Sequence, residues 1–305
     1  MSDAVEADAV TEPASGWWQY RVLASADEVD ALESALFASG ALSVTLLDAA
    51  DQPILEPAPG ETPLWEHVVL VGLYAGDATA DVLAVEIGAA LGRPVDGAQL
   101  ERLADEAWER AWMAHFQPMH FGGALWIVPS HADAPEPDAV NVRLDPGLAF
   151  GSGTHPTTAL CLRHLAAASP RGLSVIDFGC GSGVLAVAAL KLGAARVWAT
   201  DIDPQALIAT RENATLNAVA EILDVSLPDE GPDWQADVLL ANILHGPLLA
   251  LRDSLVARVV PGGKVVLSGV LTEQVEGLKA HYAAVLDDID VVGDGDWCRL
   301  SGRVR

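Results

Sequence analysis

The chain has 305 residues, just over half of them apolar, enough to bury a sizeable core and to suggest two domains. Its formal charge is -26, from 43 acids against 17 bases, which argues against binding to bare nucleic acid, because phosphate contacts need Lys and Arg. The three cysteines, Cys161, Cys180 and Cys298, are far apart and form no CxxC pair, so neither a disulfide framework nor a metal site is expected.

Residues 1–16 are acidic and Ala-rich, lack the basic start and apolar core of a signal peptide, and are expected to be a disordered extension. No apolar run is long enough to predict a transmembrane helix. A reducing cytoplasm fits these features. Trp17 to Leu23 alternates like a strand, Ala26 to Ser39 has helical spacing with Gly40 as its cap, and Ala41 to Leu47 is strand-like. A four-proline loop, Asp51 to Pro63, leads to the apolar run His67 to Tyr74. A helix over Ala78 to Leu91 ends at Gly92, and Gln99 to Leu103 reads as a last short strand. The order strand, helix, strand, strand, helix, strand is the ferredoxin-like pattern, which makes residues 17–103 a small α+β domain. Residues 1–100 hold 17 acids against Arg21 and Arg93. Such a field steers a basic protein partner, and equally suits a solvated surface or a saline habitat.

Asp105 to His115 is predicted as a linker helix within 104–117, with Trp108 and Trp112 on one face, packed against a neighbouring domain. The second domain is predicted over 118–305. Within it strands and helices alternate from Ser174 onward. Strands are predicted at Ser174–Phe178, Arg196–Asp201, Asp224–Leu227, Ala236–Asn242 and Lys264–Ser268. Helices are predicted at Val184–Leu192, Pro204–Asn217, Pro247–Val259 and Glu273–Ala283. Pro261-Gly262-Gly263 reads as a turn. Val285–Val292 and Trp297–Val304 read as a closing antiparallel pair. Repeated crossovers of this kind give a doubly wound, mostly parallel α/β sheet.

The chemistry is concentrated in four segments. Asp177-Phe178-Gly179-Cys180-Gly181-Ser182-Gly183 follows a strand and opens a helix, so a ligand can approach the backbone amides closely. Asp201 ends the next strand, where a carboxylate accepts both ribose hydroxyls of an adenosine. Together they leave a nicotinamide dinucleotide or S-adenosylmethionine. The third glycine stands at Gly183 rather than at Val184, and Asp177 precedes the turn, which favours S-adenosylmethionine. Its amino group suits Asp177, and its carboxylate suits the Gly179 to Gly183 amides. Asn242 ends the fourth strand, where an Asn side chain or a neighbouring carbonyl can hold an attacking amine. The surrounding sequence is not Asn-Pro-Pro-Tyr, so the nucleobase and planar-amide pattern is absent. Leu144 to Thr158 is a glycine- and threonine-rich run suited to covering a cofactor or to capping a helix. His155 and His245 are ambiguous, and neither is assigned as a base.

These four segments, in this order, resemble the ribosomal protein L-eleven methyltransferase family from about Trp17 to Arg305. The similarity includes Trp108 to Trp112, Pro261-Gly262-Gly263, Leu267 to Leu271 and Trp297-Cys298-Arg299. The resemblance implies a substrate-recognition domain tethered to a seven-stranded Rossmann-like class I methyltransferase domain. It implies trimethylation of lysine side chains and of the N-terminal amine of one large-subunit ribosomal protein, free or on the ribosome. It places S-adenosylmethionine at Thr158, Gly179, Asp201 and Asn242; Asp177, Gly181 and Phe150 are further expected contacts. Asn242 is the expected catalytic residue, with no metal, no membrane contact and a monomeric chain. Ser152 and His245 depart from the family's usual threonine and small residue. Alternatives are a methyltransferase for another protein or a small molecule, a non-catalytic cofactor-binding adaptor of the ribosome, or, on the glycine turn alone, an oxidoreductase.

Overall fold

The computed structural model describes residues 16–50, 64–76, 79–95, 97–103, 116–145 and 153–305. The chain divides into two compact units, Met1–Glu109 and Arg110–Arg305. The acidic extension up to Ser15, the Asp51 to Pro63 loop, the helix expected at Asp105 to His115 and Phe150 lie outside the described residues.

The first unit contains strands β1 (Trp17–Ser25), β2 (Ser43–Asp48), β3 (His67–Ala75) and β4 (Gln99–Leu103), with helices α1 (Val29–Ala38) and α2 (Ala80–Leu91). The sheet order is β2-β3-β1-β4 and every pairing is antiparallel, as the ferredoxin-like pattern requires. Alternation explains the layering: Tyr20, Val22 and Ala24 of β1 are buried with Leu32 and Leu36 of α1 and Leu83 and Ile87 of α2. The helix expected from Ala26 begins as a 3-10 turn, Ala26–Glu28, before α1. Ser25 opens it, with its backbone N–H donating to Glu28 Oε2 at 3.2 Å and its hydroxyl at 2.9 Å. Gly40 and Gly92 follow the two helices with φ of +96° and +70°, the left-handed stops read from the sequence.

The second unit opens with a three-stranded sheet of β5 (Met119–His120), β6 (Leu125–Val128) and β7 (Val140–Arg143), which the sequence reading missed. The main elements follow as α3 (Pro156–Ala168), β8 (Ser174–Phe178), α4 (Val184–Lys191), β9 (Arg196–Thr200), α5 (Pro204–Leu216), β10 (Leu223–Ser226) and β11 (Ala236–Asn242). After them come α6 (His245–Ala250), α7 (Arg252–Ala257), β12 (Val259–Leu271), α8 (Val275–Tyr282), β13 (Leu286–Asp294) and β14 (Trp297–Val304). The sheet order is β10-β9-β8-β11-β12-β14-β13; β14 alone runs antiparallel to both neighbours. One apolar layer joins Leu162 and Leu165 of α3 to α4, and the other joins Leu248, Leu255, Leu278 and Tyr282 to the opposite face.

Two local expectations are corrected. Pro261-Gly262-Gly263 is not a turn before a strand but an irregularity inside β12. The register against β11 jumps from Ala236↔Val259 to Val238↔Lys264, and Gly262 absorbs the extra residues at φ +79°. The helix expected at Pro247–Val259 starts earlier, at His245, breaks at Leu251, and gives way to β12 at Val259. Among the described residues no helix is long and apolar enough to cross a membrane.

Candidate functional site

The chain leaves β8 toward β9 and β10 on one side, then returns to β11 on the other. This reversal opens a crevice at the carboxyl ends of β8 and β11, where ligands bind doubly wound sheets. The turn after β8 fills its floor. Gly179, Gly181 and Gly183 have φ of +76°, +52° and +75°, a region that side chains with a Cβ rarely enter. A Cβ on Gly179 would stand 2.2 Å from Ile243 Cγ2, and one on Gly183 2.7 Å from Thr210 Cγ2. The turn is pinned from both flanks. The amides of Gly179 and Cys180 donate to the Thr200 carbonyl at 2.8 and 3.0 Å. From α5, Thr210 Oγ1 donates to the Gly181 carbonyl at 3.1 Å and Asn213 Nδ2 to that of Ser182 at 2.8 Å.

Two carboxylates flank this cradle. Asp201 accepts the Gly181 amide on Oδ2 and the Asp203 amide on Oδ1, both at 3.0 Å. These bonds fix its plane and leave each oxygen a further lone pair. Ile202, beside it, is 84% exposed. Asp177 is buried under the turn. Its Oδ2 accepts the Ala186 amide at 3.0 Å, while Oδ1 has no partner among the described residues. Burial, helped by the negative charge of Asp201, pushes its carboxyl up to about 7. Among the described residues no Lys, Arg or His forms an ion pair with either acid.

The third wall joins β11 to α3. Asn242 Nδ2 donates to Thr158 Oγ1 at 3.1 Å, which turns the amide oxygen away from that bond. Thr157 and Thr158 are buried in the first turn of α3. Ser268 Oγ lies 3.1 Å from the Thr157 carbonyl and 3.3 Å from that of Cys298, tying α3 to β12 and β14. At Gly269, φ is +86° and a Cβ would stand 2.2 Å from the Ile243 carbonyl oxygen, so β12 presses directly on the segment after Asn242. From the sequence, Ser268 and Gly269 have no assigned role beyond their place in the Leu267 to Leu271 similarity. Gly269 carried a signal, because a glycine inside a strand marks close backbone approach.

His155 caps α3. Its Nδ1 accepts the Thr157 amide at 3.3 Å and lies 2.7 Å from Thr157 Oγ1, so its ring proton belongs on Nε2. The ring meets Trp297 edge to face at 4.8 Å, and burial lowers its pKa. His245 Nε2 is buried without a partner among the described residues. The structure therefore brings Gly181 to Asp201, and Thr158 to Asn242, around one crevice, with Asp177 beneath its floor. Among the described residues no group of three or more His, Cys, Asp or Glu side chains is arranged to hold a metal ion.

A family model described as ribosomal protein L11 methyltransferase (PrmA) matches residues 16–305 of the chain. Two similar proteins carry the description "Ribosomal protein L11 methyltransferase". One, from Pseudomonas aeruginosa strain PAO1, is 50% identical over 290 residues, covering 95% of this chain and 99% of its own. The other, from Pseudomonas putida strain F1, is 52% identical over 291 residues with the same coverage. Among solved structures, a ribosomal protein L11 methylase from Lactobacillus delbrueckii subsp. bulgaricus aligns at 36% identity and a TM-score of 0.55. That alignment covers 62% of this chain and 100% of the other.

Proposed function

Since the chain belongs to the ribosomal protein L11 methyltransferase family, we propose that it methylates lysine side chains and the N-terminal amine of ribosomal protein L11. It is an S-adenosylmethionine-dependent methyltransferase, and the crevice suits that cofactor. The observation that carries the assignment is the pair of acids, Asp177 and Asp201, that form no ion pair among the described residues and lie beside a backbone cradle of left-handed glycines. A ligand with positive charge and a vicinal diol offsets what those groups lack.

Bound S-adenosylmethionine supplies a methyl carbon made electrophilic by its sulfonium. Asp201, held in plane by two amides, uses its remaining lone pairs on the ribose hydroxyls. Gly179 and Gly181 let the ligand approach the backbone, and Asp177 balances its positive charge. Phe150, which the resemblance expects at the cofactor, lies outside the described residues. Thr158 orients Asn242 by accepting its Nδ2–H. The Asn242 oxygen is then placed to accept an N–H of the incoming amine and aim its lone pair. That amine must be neutral; a lysine near pH 7.5 pays about 4 kcal/mol for this, at about 1.36 kcal/mol per pKa unit. His155 is no base here, because its Nδ1 already accepts from Thr157. Catalysis is therefore positioning and desolvation.

We assign substrate selection to residues 17–103, connection to 104–117 and methyl transfer to 118–305. The first unit's acids suit a basic ribosomal protein. The enzyme works in the cytoplasm as a monomer, without direct nucleic-acid contact, on L11 free or ribosome-bound. The test is S-adenosylhomocysteine release with and without purified L11, followed by intact-mass analysis of L11 and peptide mapping. Release that depends on L11, with methyls on lysines and the N-terminal amine, is expected. Release indifferent to L11 contradicts the substrate; methyls on other residues contradict the target groups. A folded chain starting at Pro118 should keep cofactor affinity and lose L11 methylation.

A further inference from the structure

On the opposite, amino rim of the same sheet lies a cleft of about 360 Å³ that the methyl-transfer reading does not use. Its walls are apolar, from Leu165 and Leu173 among others, and Lys264 and Arg303 line one side of it. These two stand directly opposite each other in the β12–β14 ladder. Like charges in that position repel and weaken a strand pair. The chain has three lysines in all, and this one has no hydrogen bond or ion pair among the described residues. Arg303 donates to the Gly262 carbonyl at 2.8 Å and, among the described residues, reaches only an exposed acid, Asp288, at 3.7 Å.

The cationic character extends inward. Arg299, buried on the same face of β14, donates to His164 Nδ1 and pairs with Asp290 at 2.7 Å, and its Nε has no partner among the described residues. His164, which lines the cleft, is held down to about 4 by burial and by the charges of Arg299 and Lys264, so it stays neutral and adds no charge of its own. Two features oppose the cations. Asp237 lines the cleft, but its Oδ2 is taken by the Ser174 amide at 2.8 Å and hydroxyl at 2.6 Å. Helix α3 ends at Ala168, and its last carbonyls carry partial negative charge. Neither bonds Lys264.

We propose that this cleft binds a small organic anion, a carboxylate or phosphate head on an apolar body, with Lys264 and Arg303 taking the head. Apolar walls with a few convergent polar groups are the usual composition of a small-molecule site. The cleft and the cofactor crevice lie at opposite rims, so both ligands fit at once.

The test titrates the full chain at constant ionic strength with phenyl phosphate, benzoate and inorganic phosphate, followed by calorimetry. Saturable binding of phenyl phosphate or benzoate is expected, at least tenfold tighter than that of inorganic phosphate. Lys264→Met should weaken it at least tenfold and leave turnover on L11 unchanged. Arg303→Gln should weaken it similarly, and serves alone if Lys264→Met fails to fold by circular dichroism. The proposal is overturned by absent saturation or by folded variants that bind as tightly as the parent. Displacement of the probe by S-adenosylhomocysteine also overturns it, since that places the probe in the crevice. None of the overturning outcomes depends on L11 being the substrate.

Discussion

At the carboxyl rim of the seven-stranded sheet, Asp177 and Asp201 form no ion pair among the described residues and stand beside three left-handed glycines. At the amino rim, Lys264 and Arg303 face each other across a strand pair, beside a neutral His164. One sheet thus presents two ligand environments of opposite preference. The difference teaches where binding chemistry is built. At the carboxyl rim the backbone itself is shaped for a ligand, and the acids are fixed by amides. At the amino rim the backbone is ordinary ladder with one irregularity, and the side chains carry the charge.

The largest effect should come from testing that contrast at glycine. Gly179 and Gly262 are both left-handed, at φ +76° and +79°, but a Cβ on Gly179 meets Ile243 at 2.2 Å while one on Gly262 meets nothing within 4 Å. Gly179→Ala should weaken cofactor binding by about a hundredfold or more, through displacement of Ile243 and the adjoining Asn242. Gly262→Ala should cost only backbone strain, about 1–2 kcal/mol of stability, with cofactor affinity intact. Calorimetry and urea unfolding separate the two outcomes, and equal cofactor losses would erase the contrast.

Next in size, Asn242→Ala should lower kcat by about ten- to a hundredfold, about 1.4–2.7 kcal/mol, with cofactor affinity nearly unchanged. A loss confined to cofactor affinity, with turnover intact at saturation, would move Asn242 from the reacting centre to the cofactor.

The smallest effect is a pair of opposite pH slopes. Asp177 titrates near about 7 in the folded chain, above the ordinary carboxylate value of about 4. Between those values the folded chain keeps a proton that the unfolded chain has lost. Its contribution to stability is complete below about 4 and is lost as pH rises through about 7. His164 is the reverse, titrating near about 4 in the folded chain against about 6.5 when unfolded. Its contribution is complete above about 6.5 and is lost as pH falls through about 4. Urea midpoints between pH 4.5 and 8 should therefore show Asp177→Asn gaining on the parent as pH rises. His164→Gln should gain on it as pH falls. Variants that shift in the same sense would contradict the two environments.

Much of the carboxyl rim was legible in the sequence because its signals are local. Ser174–Phe178 and Ala236–Asn242 are strands at the predicted bounds, and the glycines between Phe178 and Val184 form the expected strand-to-helix connection, with left-handed φ. What was not legible is long-range or context-bound. The Asn242–Thr158 bond joins residues 84 apart, and no spacing rule announces it. Ser268 gains its role only because α3 and β14 happen to converge on it. The strands Met119–His120, Leu125–Val128 and Val140–Arg143 are two to four residues long, too short for alternation to register. Pro261-Gly262-Gly263 has turn composition, yet pairing with β11 and β14 on either side carries the strand through it. The cleft at the amino rim depends on the Lys264↔Arg303 register, which sequence does not display.

The central claim is that the carboxyl-rim crevice holds S-adenosylmethionine with Asp201 on its ribose. Calorimetric titration of the full chain and of Asp201→Ala with S-adenosylhomocysteine tests it most directly, with circular dichroism confirming that both are folded. Loss of a charge-assisted pair of hydrogen bonds should cost about 2–4 kcal/mol, roughly a thirty- to a thousandfold rise in Kd. An unchanged Kd in the folded variant would contradict the account.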